Sequence, residues 1–97
     1  MTDLDKARQV IDDVDREMTR LFEQRMDAVR QIAEYKKEHG MPVEDADREK
    51  HILEMNAERV RNEEYRSYYV RFLRSIMDLS KHMQHRLLDE TDNNEEV

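Results

Sequence analysis

The sequence has 97 residues, of which 37% are hydrophobic and 42% are charged, and its formal net charge is -7. This composition is too polar for a thick globular core and is typical of long amphipathic helices. The negative charge argues against nucleic acid and anionic membranes as partners, although a small anionic ligand fits if positive side chains are concentrated locally. Without cysteine, neither a disulfide framework nor a thiolate metal site can form.

The N-terminal residues MTDLDKARQV lack the apolar core of a signal peptide. No apolar run approaches the length of a membrane span. We therefore expect a soluble, cytoplasmic protein.

The first predicted element is a helix of roughly 35 residues, about 50 Å long, that ends before Gly40. Such a helix is too long for a compact domain of this size, so we expect a second copy of the chain to lie beside it. The apolar pattern supports pairing, because it follows a heptad repeat. One row is Leu4, Ile11, Met18, Arg25 and Ile32, and the other is Ala7, Val14, Leu21, Ala28 and Tyr35.

A second, shorter helix is predicted after the segment HGMPV. Gly40 suits a left-handed helix end, and Pro42 prevents simple continuation. Either Glu44 or Asp45 can cap the new helix, which we expect to run to about Arg61.

A third helix of medium length is predicted from Tyr68 onward, after a link near residues 62–66. The apolar spacing continues to Leu88. We assign residues 1–88 to one all-α domain and expect the acidic segment 89–97 to be a disordered tail.

Two cations stand out on the first helix. Arg25 occupies a heptad position otherwise filled by apolar residues, where a guanidinium needs an anion or carries a desolvation cost. Lys36 follows 11 residues later, which places it within about 20° of the same face. The two could converge on one small anion; alternatively, Arg25 pairs with a structural acid or extends its guanidinium to solvent, and Lys36 is a solvated helix-end lysine.

Polar residues also interrupt the third helix. Ser80 and Gln84 lie in an i, i+4 row with Phe72, Ile76 and Leu88. They are either a satisfied buried pair or hydrogen-bonding groups of a site, since an uncharged amide donor suits an oxygen that gains charge.

The start of the second helix offers acceptors beside a positive charge, with Asp45 and Glu49 flanking Arg48. Ordinary helix capping explains this pattern equally well. His82 and His85 have no accompanying acid cluster, so we expect no metal site.

Eight residues together resemble the active-site pattern of the all-helical class of chorismate mutases: Arg8, Arg25, Lys36, Asp45, Arg48, Glu49, Ser80 and Gln84. They lie in the segments ARQVIDDVD, FEQRMDAV, IAEYKKEHGMPVEDADREKHIL and SIMDLSKHMQ, which span nearly the whole chain.

The resemblance implies an intertwined homodimer that rearranges chorismate to prephenate, in the biosynthesis of phenylalanine and tyrosine, without a cofactor, metal or covalent intermediate. It further implies a role for each of the eight residues. Arg25, and Arg8 from the other subunit, would bind the substrate carboxylates, with assistance from Ser80. Lys36 and Gln84 would donate to the ether oxygen, Asp45 and Glu49 would orient the ring hydroxyl, and Arg48 would line the site.

Helix geometry independently favours a shared site. Arg8 and Arg25 are 17 residues apart, or about 25 Å along one helix, too far to hold one small molecule from the same chain. Two alternatives remain open: an isochorismate pyruvate lyase of the same fold, and a non-catalytic helical dimerisation module.

Overall fold

The computed structural model describes the backbone of residues 1–95 and the side chains of residues 1–89. The described regular structure is entirely helical, which confirms the predicted all-α fold: α1 (Asp3–Glu38), α2 (Ala46–Arg59) and α3 (Glu63–Glu95). The molecule is long and thin, measuring 60 × 29 × 15 Å. Within the described part of the chain, no helix combines the length and apolar character needed to cross a bilayer.

Local sequence signals set both ends of α1. At its start, the Asp5 N–H donates to the Thr2 hydroxyl at 3.1 Å and the Thr2 N–H donates back to the Asp5 carboxylate at 3.0 Å. At its end, Gly40 has a φ of +62°, and the Met41 N–H donates to the Lys36 carbonyl at 2.8 Å. The predicted length and the predicted glycine end are both confirmed.

The second helix ends slightly early and the third begins earlier than the sequence predicts. α2 ends at Arg59, because Val60 is extended with φ -75° and ψ 112°. The predicted start of the third helix at Tyr68 is wrong, since α3 begins at Glu63. The reason is a cap: the Asn62 side chain accepts a hydrogen bond from the Glu64 N–H at 3.0 Å.

The third helix holds the chain together, since it packs against both α1 and α2, whereas contacts between α1 and α2 are absent among the described residues. Its buried line, at spacings of four, three and four, comprises Leu73, Met77, Ser80 and Gln84. α1 contributes Val29 and Ala33, and the loop before α2 contributes Val43. The core of the single chain is therefore small and partly polar.

The two heptad rows of α1, which we call the α1 seam, do not form that core. Their large apolar members, from Leu4 to Tyr35, are between 43% and 57% exposed. Instead, α3 covers an adjacent stripe of α1 that contains Val29 and Ala33. Every residue in the range 1–24 is exposed, so most of α1 extends beyond the rest of its own chain.

The boundary between the domain and the acidic tail stays a prediction. The α3 backbone continues to Glu95, but the side chains from residue 90 onward, and all of residues 96 and 97, lie outside the described residues.

Candidate active site

One direct hydrogen bond joins the polar positions of α1 and α3. Arg25 Nη1 donates to Ser80 Oγ at 2.6 Å, and Ser80 is only 5% exposed. The interruption of both apolar patterns thus has a common cause, because the guanidinium and the hydroxyl meet at the interface between the two helices.

The Ser80 hydroxyl has one hydrogen to donate, and the distances to its neighbours show which atom accepts it. Ser80 Oγ lies 2.8 Å from the Ile76 carbonyl and 3.9 Å from Met26 Sδ. The carbonyl oxygen is closer and is a stronger acceptor than the thioether sulfur. Ser80 therefore donates within α3 and accepts from Arg25, which fixes the guanidinium in place.

Arg25 and Lys36 differ from the cations on the open surface. Exposed cations such as Arg16 and Arg20 lie within 4.0 Å of an acid. Neither Arg25 nor Lys36, both half-buried, forms an ion pair with a described residue. The structural acid considered for Arg25 is thus absent from the described part of the chain, and both charges are available to an anion.

Lys36 is held by the loop that leads into α2. Its Nζ donates to the Val43 carbonyl at 2.9 Å, and the Val43 side chain is buried. A lysine ammonium has three donors, so two remain for other acceptors. Lys36 is therefore a fixed, half-buried cation rather than the solvated helix-end lysine that was the alternative.

Gln84 lies one helical turn after Ser80 on the buried line of α3 and is 7% exposed. Its Oε1 atom is buried and has no hydrogen-bond partner among the described residues. Leaving a buried amide oxygen unpaired costs about 1–3 kcal/mol. A satisfied Ser80–Gln84 pair, the alternative considered for these two residues, is therefore not formed.

Asp45 serves as the N-cap of α2, where its Oδ1 accepts a hydrogen bond from the Arg48 N–H at 3.1 Å. The cap occupies one carboxylate oxygen. The other remains free to accept, so capping and substrate contact are compatible uses of the same side chain.

Glu49, one turn into α2, contacts α3 through a residue that the sequence analysis missed. Lys81 Nζ lies 2.8 Å from Glu49 Oε1. That hydrogen bond raises the pKa of Lys81, helped by the charges of Asp78 and Glu44 and opposed by desolvation. Lys81 therefore stays protonated around neutral pH.

A second cross-link joins the same two parts of the chain. His85 Nε2 lies 2.7 Å from Glu44 Oε1, and this hydrogen bond is the main reason that the pKa of Glu44 is lowered. The sequence carries only part of the signal for these links: acids at 44 and 49 precede α2 or lie in its first turn, and basic residues at 81 and 85 share one face of α3. Which of these side chains meet depends on how α2 packs against α3.

The remaining two predicted residues, Arg8 and Arg48, do not join the contacts that involve Arg25, Lys36 and Glu49. Arg8 is exposed on the extended part of α1, about 25 Å along the helix axis from Arg25. The Arg48 side chain is exposed, and only its backbone N–H takes part in a described bond.

One depression on the described surface is lined by residues that include Lys37 and Leu88, and another by residues that include Glu49 and Lys81. Arg25, Lys36 and Gln84 do not line either of these two depressions. Groups of three or more metal-binding side chains are absent from the described residues.

Fold and site together define a three-helix protein with two half-buried cations on α1, Arg25 and Lys36, and buried polar side chains on α3. A comparison with protein families matches residues 7–85 to the family chorismate mutase type II. The match covers most of the chain, and the chain belongs to this family. Comparisons with curated proteins and with solved structures gave no match.

Asp45 provides a test that separates capping from a role in the site. We expect Asp45→Ala to lower the free energy of unfolding by about 1 kcal/mol, whereas Asp45→Asn retains the cap and most of the stability. Urea denaturation followed by circular dichroism measures both. If the asparagine variant were destabilised as much as the alanine variant, the carboxylate would be doing more for stability than capping.

Proposed function

We propose that the protein is a chorismate mutase that converts chorismate to prephenate by an intramolecular Claisen rearrangement. The observation that carries the proposal is the family match over residues 7–85, a range that includes all eight residues of the predicted site. The proposal extends to the biosynthesis of phenylalanine and tyrosine, the pathway in which this reaction occurs.

The residue types suit this reaction. A carbon–oxygen bond breaks and a carbon–carbon bond forms within one molecule, so the reaction needs neither a nucleophile nor an external proton donor. It needs a flexible dianion folded into the reactive conformer and stabilisation of the negative charge that develops on the ether oxygen. Fixed cations and neutral donors supply both.

Each described contact supports one role. Arg25, held by Ser80 and without an acid partner among the described residues, binds one substrate carboxylate. Lys36, anchored to the Val43 carbonyl, and the Gln84 amide donate to the ether oxygen as its bond breaks. Asp45 and Glu49 each retain a free carboxylate oxygen for the ring hydroxyl, while Arg48 lines the site.

The exposed α1 seam supports a homodimer. Seven large apolar residues at heptad spacing remain about half exposed along one helix face, and burying such a face contributes about 25 cal/mol for each Å² removed from water. In a homodimer with twofold symmetry, the same face of each chain packs against its copy. A second copy of the chain is therefore the proposed occupant.

One antiparallel register of this pairing brings Arg8 to the partner's site. Arg8 lies four residues after Leu4 and three before Ile11, so it shares the face of the α1 seam. In an antiparallel pair centred between residues 16 and 17, Arg8 of one chain stands opposite Arg25 of the other, since these positions are equidistant from the centre. Each of two equivalent sites then contains one arginine from each subunit.

The substrate assignment is tested by incubating the purified protein separately with chorismate and with isochorismate. We expect prephenate from chorismate. Pyruvate from isochorismate together with no prephenate from chorismate would assign the chain to the lyase alternative. No reaction with either compound, and no thermal shift with chorismate, would favour a non-catalytic helical module.

The shared site is tested by subunit exchange. We expect Arg8→Ala and Arg25→Ala each to lower kcat/KM at least about a hundredfold without unfolding the chain. After mixing and exchange, half of the dimers are heterodimers with one intact site, so about one quarter of the wild-type activity should return. Absence of recovery after mass spectrometry has verified the exchange would contradict a site shared between subunits.

A further inference from the structure

The Lys81–Glu49 contact differs from the other ion pairs of the described residues. Its two side chains are only 29% and 27% exposed. In six other ion pairs among the described residues, at least one side chain is more than half exposed. Exposed pairs contribute little because solvent screens them, so this contact is the one best placed to fix a side chain.

The position of the contact matters as much as its burial. Lys81 directly follows Ser80 and precedes Gln84 by three residues on α3, while Glu49 lies in the first turn of α2. Since α1 and α2 do not contact each other within the described residues, the placement of Glu49 relative to Gln84 depends on how α2 is attached to α3. The Lys81–Glu49 ion pair is one of the contacts that attach α2 to α3, and it lies next to Ser80 in the sequence of α3.

We propose that Lys81 is a positioning residue that holds the Glu49 carboxylate in place to accept a hydrogen bond from the substrate's ring hydroxyl. This inference rests on the proposed function. Lys81 contacts Glu49 Oε1, which leaves Oε2 free for the hydroxyl. Lys81 touches no reacting atom and acts through Glu49.

The positive charge of Lys81 also reduces the repulsion between the Glu49 carboxylate and a negatively charged substrate. An ionised glutamate beside a dianionic substrate would repel it. The ammonium 2.8 Å away offsets that repulsion, while the second carboxylate oxygen can still accept a hydrogen bond. Asp78, 3.7 Å from Lys81, and Glu44, whose charge also acts on Lys81, keep the lysine protonated.

The test is a double-mutant cycle on kcat/KM for prephenate formation, using Lys81→Met, Glu49→Gln and the double variant. We expect Lys81→Met to lower kcat/KM about tenfold, the effect of losing one charge-assisted hydrogen bond. In the Glu49→Gln background, the same substitution should have little further effect. Lys81→Arg, which keeps the charge and the donors, should retain most of the activity.

Lys50→Met is the matched control, because it removes a lysine of α2 whose partner Glu54 is 4.0 Å away on the open surface. It should leave kcat/KM unchanged. Circular dichroism and sedimentation verify that each variant is folded and associated like the wild type, and Lys81→Gln takes the place of Lys81→Met if the methionine variant does not fold.

Three results would overturn the inference. Wild-type kcat/KM in Lys81→Met and Lys81→Gln would show that Lys81 has no role in the reaction. An equal loss in the wild-type and Glu49→Gln backgrounds would show that Lys81 does not act through Glu49. A wild-type protein that forms no prephenate would overturn the proposed function and this role together, whereas an active wild type with unaffected lysine variants would overturn the role of Lys81 alone.

Discussion

The structure depends on the length of α1, which is much longer than the stretch that α3 of the same chain covers. α3 covers α1 only from about Arg25 onward, and all of residues 1–24 are exposed. The uncovered face carries apolar side chains at heptad spacing, and water disfavours such a face unless another surface covers it. Arg8 and Arg25 stand towards opposite ends of this face. In our account, association of two chains and completion of the two sites are therefore one event.

Polar groups of the proposed site lie within the interface between α1 and α3 of the single chain. Arg25 is half-buried and bonded to a neutral hydroxyl rather than to a carboxylate, which orients the guanidinium without neutralising it. Gln84 keeps an unpaired buried oxygen. Both features cost stability in the single chain. Such costs are expected where fixed polar groups face a ligand instead of satisfying one another.

Long-range periodicity and strong local signals were readable from the sequence, whereas contacts between side chains of different helices were not. Heptad spacing and Gly40 predicted α1 and its end, and polar residues in apolar rows pointed to Arg25 and Ser80. The start of α3 was misplaced because an Asn62 cap carries no glycine or proline signal. The Lys81–Glu49 contact was missed because it depends on how α2 lies on α3. The heptad pattern also left open which face of α1 its own chain would cover.

The most direct test follows specific activity and association together as the protein is diluted. Sedimentation measures the fraction of paired chains at each concentration, and prephenate formation at saturating chorismate measures activity per chain. We expect the two curves to fall together, because in the proposed dimer an isolated chain lacks the second arginine of its site. Activity per chain that stays constant while the dimer dissociates would contradict a site completed by the partner.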